Sequence, residues 1–346
     1  MSTFTRASHW EFWPPWMLYP PVAAYVAWLA ARHGGFSTIA AANPGLPDGG
    51  LVGESKFDIL RRLPPDCTLA GALIPPGPVE DRVRAAAAFV AADGGGYPVI
   101  LKPDVGQRGV GVRRAASRHD LRTYFREYPH AVVAQQYHPG PYEAGVFYWR
   151  LPSEAEGRIF SITDKAFPEL VGDGRSTLAS LVTGHPRFAR QADTFLARHA
   201  PIANQVLAAG ACFKLGDIGN HAQGALFRDG SHLITEALRR RIDAIARQVR
   251  GFYVGRFDVR YSDVEAFKAG RDLAIIELNG VSAESTNIYD PSRSVIDAWR
   301  TLFEQWQIIF AIGAENRRRG SRPATGRLWR LVWEHLTDRR TFPVSG

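Results

Sequence analysis

The sequence predicts an α+β protein in which helices alternate with mostly antiparallel strand pairs. Three observations carry this reading. Two runs, "YVGRFDVRY" and "LAIIELNGV", have the length and β-branched character of strands and are joined by a short polar stretch around "SDVEAFKAGRD". A third run, "YPVILKP", leads straight into the glycine-rich loop "DVGQRGVGV". Between such runs lie segments of helical spacing, among them "LRRRIDAIARQVRG", which ends on Gly251. No internal repeat is visible, and 346 residues suffice for two or three structural units.

In chain order, "HWEFWPPWMLYPPVAAYVAWLAARH" is apolar enough to suggest a membrane span, but Pro14, Pro15, Pro20 and Pro21 break it. About ten residues follow before Arg32, roughly half of the ~20 that a bilayer requires, so no span is expected. The segment reads either as a helix packed on the body or as an aromatic patch in a membrane interface. "FSTIAAAN" (36–43) reads as a short strand, and after "NPGLPDGGLVGES" a helix opens near Lys56. "VEDRVRAAAAFVAA" (79–92) is helical, while "AVVAQQY" (131–137) and "EAGVFYWRL" (143–151) are strands joined by "HPGPY". Near the C-terminus, "RLWRLVWEHL" places Trp329, Trp333 and Leu336 on one helical face. The two apolar ends are expected to pack together, because large exposed apolar patches are uncommon.

Composition narrows the function classes. Hydrophobic residues at 45% and charged residues at 22% describe a folded chain. Cys67 and Cys212 stand far apart, without neighbours in metal-ligand spacing, which argues against a zinc site or a disulfide framework and for a reducing cytoplasm. The opening residues lack the features of a signal peptide. A net charge of +8 favours an anionic partner. However, "ENRRRGSRPATGRLWRLVWEHLTDRR" supplies eight arginines against three acids, so the remainder is close to neutral. No nucleic-acid motif appears, and no nucleic acid is expected as a partner.

The chemistry is foreshadowed by the cations. Of 42 lysines and arginines, only Lys56, Lys102, Lys165, Lys214 and Lys268 are lysines. Lys102 closes a strand just ahead of the glycine loop, where backbone N–H groups and a flexible ammonium suit a phosphate. The order differs from that of a Walker loop, here and in "GGLVGESK". Within "ELN", Glu277 and Asn279 leave the same face of a strand, as do Arg256 and Asp258 within "GRFDV". Paired, these strands would converge two carboxylates, an amide oxygen and an arginine, a donor set suited to Mg²⁺ and substrate phosphates.

These residues resemble the ATP-grasp superfamily of carboxylate–amine ligases, close to D-alanine–D-alanine ligase and cyanophycin synthetase, over roughly residues 50 to 315. "ESKFDIL", "PVILKPDVGQRGVGV", "VVAQQYHPGPYEAGV", "GRFDV" and "IIELNG" stand in the superfamily's order. "HWEFWP", "ANPG" and "ELNGVSAEST" are similar to strings of an uncharacterised ATP-grasp group. The resemblance implies a nucleotide held between two α+β lobes with antiparallel sheets. It divides the chain into an apolar aromatic segment (1–33), a short pre-ATP-grasp lobe (34–78), a central lobe with a lid loop (79–140), a C-terminal lobe with the metal site (141–315) and a basic amphipathic tail (316–346).

The roles implied by the resemblance follow residue by residue. Lys56 and Lys102 hold the α- and β-phosphates of ATP, and Gln107, Arg108 and Gly109 belong to the lid. Gln135, Gln136 and Tyr137 meet adenine, and Glu143 accepts from the ribose. Asp258, Glu277 and Asn279 hold Mg²⁺, in two ions, with Mn²⁺ as a substitute. Arg256 faces the charge of an acyl phosphate. Two lysines compete for the γ-phosphate: Lys165, favoured narrowly for the motif "TDKAFPELVGDGRST", and Lys214, whose spacing to Asp258 is better. Asn220 and His221 of "GNHAQG" assist the oxyanion, with His221 open between a structural and a catalytic role. Glu284, Ser285 and Thr286 are candidates for the amine. The loop "GVSAEST" departs from that of D-alanine ligases, so the resemblance does not extend to D-alanine.

The implied reaction joins a carboxylate to an amine with ATP, and its substrates are small molecules. Two rivals remain: a kinase-like phosphotransferase, and a membrane-peripheral nucleotide-binding protein docked through its apolar N-terminus and basic tail. Cytoplasmic placement is expected, with the inner membrane face as the alternative. The apolar termini equally suit a homodimer contact.

Overall fold

Prolines start helices in the N-terminal segment rather than ending one. The structure, a computed structural model, describes residues 10–51, 53–106, 109–216, 219 and 224–322. Helices α1 (Pro15–Leu18) and α2 (Pro20–Arg32) each carry proline in the first turn, where the missing N–H has no intrahelical partner to lose. The run 36–43, expected as a strand, forms instead the single helical turn α3 (Ser37–Ala40). So short an apolar run carries no period to separate the two, and Ala40, Ala41 and Ala42 are strong helix formers buried in the core. α4 (Lys56–Leu60) opens where expected, with Ser55 as N-cap accepting from the Asp58 amide.

The first sheet contains β1 (Gly71–Ile74), β2 (Val99–Pro103), β3 (Arg113–Ala115) and β4 (Val132–Gln136). Their order is β1-β4-β2-β3, and every pair is antiparallel. Helices α5 (Val79–Ala92) and α6 (Arg118–Glu127) cover one face, where Val83, Phe89, Leu121 and Phe125 pack on Val99, Leu101, Val132 and Ala134. By the two-residue alternation of a strand, Lys102 and Gln135 face the other way.

The chain then crosses to a second sheet through β5 (Tyr142–Trp149) and β6 (Arg158–Ala166). A ribbon of β7 (Glu169–Val171) and β8 (Cys212–Lys214) encloses α7 (Leu178–Gly184) and α8 (Ala192–Arg198). Next come β9 (Leu226–Asp229), α9 (Glu236–Gln248), β10 (Val254–Tyr261), α10 (Val264–Lys268) and β11 (Ala274–Asn279). This sheet has the order β11-β10-β5-β6-β9, antiparallel throughout. β4 and β5 do not pair, although consecutive strands joined by "HPGPY" suggested that they would. β4 lies between β1 and β2 and has no free edge, so the connection serves as the crossing between sheets.

The last described helix, α11 (Val295–Arg318), begins with a reciprocal capping box of Ser294 and Asp297 and packs along α2 and α3. At Gly313 a Cβ would lie 2.0 Å from the Thr38 carbonyl oxygen, so only glycine permits this approach. Indole N–H groups fasten the N-terminal segment: Trp10 donates to the Arg293 carbonyl at 2.8 Å, and Trp299 to that of Leu18 at 2.8 Å. The segment thus packs on the body, with Trp16 and Trp28 left exposed. Trp329, Trp333 and Leu336, expected to join it, lie outside the described residues. No described helix is long and apolar enough to cross a membrane.

Candidate active site

A cleft of about 580 Å³ is lined by residues of both sheets and of the N-terminal segment. Strand alternation decides what lines it. On β10, Phe257 and Val259 enter the core beneath α9, which leaves Arg256, Asp258 and Arg260 on the cleft side. The same rule places Glu143 of β5, Lys165 of β6, and Glu277 and Asn279 of β11 in the cleft. Across β10 and β11, Asp258 is registered opposite Glu277, and Arg256 opposite Asn279. The convergence expected from "GRFDV" and "IIELNG" is therefore present.

These charges neutralise one another. Lys165 Nζ lies 2.8 Å from Glu143 Oε1 and 3.0 Å from Asp258 Oδ1. Arg256 grips Asp258 with Nε at 3.0 Å and Nη2 at 3.1 Å, and Asn279 Nδ2 donates to Asp258 Oδ2 at 3.3 Å. Arg260 Nε reaches the other oxygen of Glu143 at 3.0 Å. Gly145, beside Asp258 on β5, makes room for this crossing of side chains; a Cβ there would sit 3.0 Å from Arg256 Cδ. Burial disfavours the Asp258 carboxylate, but Arg256 and Lys165 outweigh it and hold its pKa down to about 2. Burial likewise opposes the Lys165 ammonium, and the carboxylates of Asp258 and Glu143 raise its pKa above the ordinary lysine value.

The first sheet contributes from the opposite wall. Lys102 Nζ donates to Gln135 Oε1 at 2.9 Å and, across the cleft, to the Ile276 carbonyl at 2.9 Å. Burial lowers its pKa to about 8. Gln135 Nε2 is buried with no hydrogen-bond partner, an orphan donor on the cleft wall. Gln136, Tyr137 and Gly109 also line the cleft. Lys56 stands at its edge, donating to the Gly106 carbonyl and lying 3.8 Å from Glu277 Oε1. Asp104 accepts from Ser55 Oγ at 2.9 Å and the Phe57 amide at 3.0 Å, tying the start of α4 to β2.

Ser285 is fully buried, its hydroxyl bonded to Ser161 and Asn287 and absent from the cleft wall. Lys214 is a second expected site residue that the fold takes elsewhere. It sits on the β7–β8 ribbon, half exposed, 3.8 Å from Glu169, and is absent from the cleft wall. Sequence spacing to Asp258 misled because the insert with α7 and α8 carries Lys214 outward, whereas β6 pairs with β5 and brings Lys165 inward. Gln107, Arg108, Asn220 and His221 lie outside the described residues. The sequence reading missed Arg260, whose signal was the same two-residue step that joins Arg256 to Asp258. It also missed Trp13, Leu18 and Tyr19, which line the cleft from a segment whose apolar composition gave no sign of this.

Two carboxylates and an amide facing one another across paired strands suit a hard cation held partly by substrate oxygens. Among the described residues no three His, Cys, Asp or Glu side chains are grouped to hold a metal ion by themselves, so an ion here would draw on Asn279 and on a ligand as well. The donor set fits Mg²⁺ on those terms.

No family model and no curated protein matches the chain. Solved structures do. A bifunctional glutathione synthetase from Pasteurella multocida is 16% identical over 74% of this chain, with a TM-score of 0.35. This chain spans 38% of that one. D-alanine–D-alanine ligase from Bacillus anthracis is 12% identical over 77% of this chain and 69% of its own, with a TM-score of 0.40. VanG D-Ala:D-Ser ligase from Enterococcus faecalis is 12% identical over 72% and 61%, with a TM-score of 0.38.

Proposed function

We propose that the protein is an ATP-grasp enzyme that joins a carboxylate to an amine, converting ATP to ADP and phosphate. The observation that carries this reading is the cleft itself. Two carboxylates and an amide on β10 and β11 face a lysine and an unsatisfied amide donor on a second sheet, an arrangement that suits a nucleotide bound from both sides. Lys56 and Lys102 hold the α- and β-phosphates, and Lys165 turns from Asp258 to the γ-phosphate. The orphan Gln135 Nε2 and the neighbouring Gln136 and Tyr137 receive adenine. Glu143 accepts from Lys165 on one oxygen and pairs with Arg260 through the other, which leaves one lone pair on each for the ribose.

Asp258, Glu277 and Asn279 would hold Mg²⁺, which when bound would neutralise the phosphate oxygens during transfer. The substrate carboxylate oxygen bonds to the γ-phosphorus as the bond to ADP breaks. The amine nitrogen then bonds to the acyl carbon, phosphate departs, and the amine loses a proton. Arg256 stabilises the charge that develops on the oxygens. Residues of the closed cleft exclude water from the activated acyl group.

The test is an ADP-release screen over pairs of carboxylates and amines, with Glu277→Gln as control. Release that needs both substrates, and that falls by about 10²-fold or more in the variant, is expected. Release that needs only one acceptor would indicate a phosphotransferase instead.

A further inference from the structure

Helix α2 turns one side to the body and the other to water. Val22, Leu29 and Ala30 are buried, and Tyr25 packs on Phe303 of α11. The exposed positions of α2 ahead of Arg32 are Pro20, Ala23, Ala24, Ala27, Trp28 and Ala31, none of them polar. An uncharged face therefore follows a helix about 20 Å long. Trp28 stands near its end at 49% exposure, and Trp16, on α1 ahead of its start, is 74% exposed.

Cations gather where this face ends. The Arg32 guanidinium lies over the Trp28 ring, 4.9 Å from its centre. Arg317 Nη1 donates to the Gly34 carbonyl at 2.7 Å, which brings the last turn of α11, with exposed Arg318, beside the end of α2. The stretch 315–340 that passes this point carries eight arginines against three acids. At the other end Trp299 donates to the Leu18 carbonyl, and Arg300 follows it, 3.7 Å from Asp297. The acids of α11 are Asp297, Glu304 and Glu315, the last paired with Arg319 at 2.9 Å.

We infer that the exposed face of α1 and α2 docks on an anionic lipid bilayer, lying in its interface without crossing it. The inference stands apart from the ligase reading. Indoles suit the boundary between headgroups and acyl chains, and the uncharged face gains by leaving water. Arg32, Arg318 and the basic stretch beyond them meet lipid phosphates. A second copy of the chain would bring no acid on this face to meet Arg32. Trp13, Leu18 and Tyr19 of the same segment line the cleft, so one of its walls belongs to the segment that meets the bilayer.

Sedimentation of the full chain with vesicles at low salt tests this, using phosphatidylcholine alone and phosphatidylcholine with about one third phosphatidylglycerol. The mixed vesicles should bind about tenfold or more tightly than the neutral ones, and high salt should narrow that gap. Replacing both indoles, Trp16→Ser with Trp28→Ser, should weaken binding to mixed vesicles by about tenfold or more. Arg32→Gln should weaken it by about fivefold, and decides alone if the double variant fails to fold. Wild-type protein that ignores both vesicles overturns the inference, whether sedimentation velocity then shows a dimer or a monomer. Equal affinity for the two vesicles overturns it as well. So does binding unchanged in the variants, because the basic tail alone would then account for it.

Discussion

Asp258 accepts from Lys165, twice from Arg256 and once from Asn279, which fills the roughly four lone-pair positions of a carboxylate. A metal ion can reach it only after one of these donors leaves, and a nucleotide phosphate is the partner that would draw Lys165 or Arg256 away. Metal and nucleotide should therefore bind together. Mn²⁺ followed by electron paramagnetic resonance should bind at least about tenfold more tightly with ADP present than alone, and equal affinity would contradict this. Lys102 gives a second prediction. Burial brings its pKa to about 8, so it is largely charged at neutral pH and loses its proton as pH rises through that value. Phosphates favour the ammonium, so nucleotide affinity should fall above pH 8 and binding there should take up a proton. Titrations in two buffers of different ionisation heat measure that uptake. Glu54 gives a third: burial raises its pKa to about 7, and its Oε1 has no hydrogen-bond partner. A folded-state pKa above the unfolded value costs stability that grows as pH rises toward 7 and stays lost above it. Glu54→Gln should stabilise the protein by about 2 kcal/mol at pH 8 and by little near pH 4, as denaturant titrations would show.

The joint between α11 and α3 turns on one residue. A methyl at Gly313 would meet the Thr38 carbonyl at 2.0 Å, and the gain in helix propensity from Gly313→Ala is smaller than the cost of parting the two elements. The substitution should destabilise the chain by about 1–3 kcal/mol in denaturant titrations, and a rise in stability would contradict the packing described. What the sequence revealed at this scale follows the strength of local signals. Residues 79–92 repeat their apolar positions over four turns, and α5 matches that span residue for residue. Residues 36–43 offered only a short apolar run, and tertiary packing made it a helical turn. The polar faces of β10 and β11 were legible because a two-residue step fixes a side chain's face whatever the strand pairs with. Which sheet β5 would join was not, since that depends on which edge remains open.

The cleft joins parts that are remote in sequence: β2 and β4, β10 and β11, and residues 13–19. Local pattern could nominate the first two sets through their charged residues. The third escaped because its side chains are apolar and its place is set by α11. Between the sheets, the described links include the Thr68–Ile275 bridge and the bond from Lys102 to the Ile276 carbonyl. A ligand that grips both walls should therefore stabilise the whole molecule, by about 2.7 kcal/mol at a hundredfold excess over Kd. The most direct measurement is a calorimetric titration of Mg·ATP into the full-length protein at neutral pH, beside Glu277→Gln. The account predicts one nucleotide per chain, bound more weakly by the variant. No heat of binding, or the same affinity in both proteins, would contradict it.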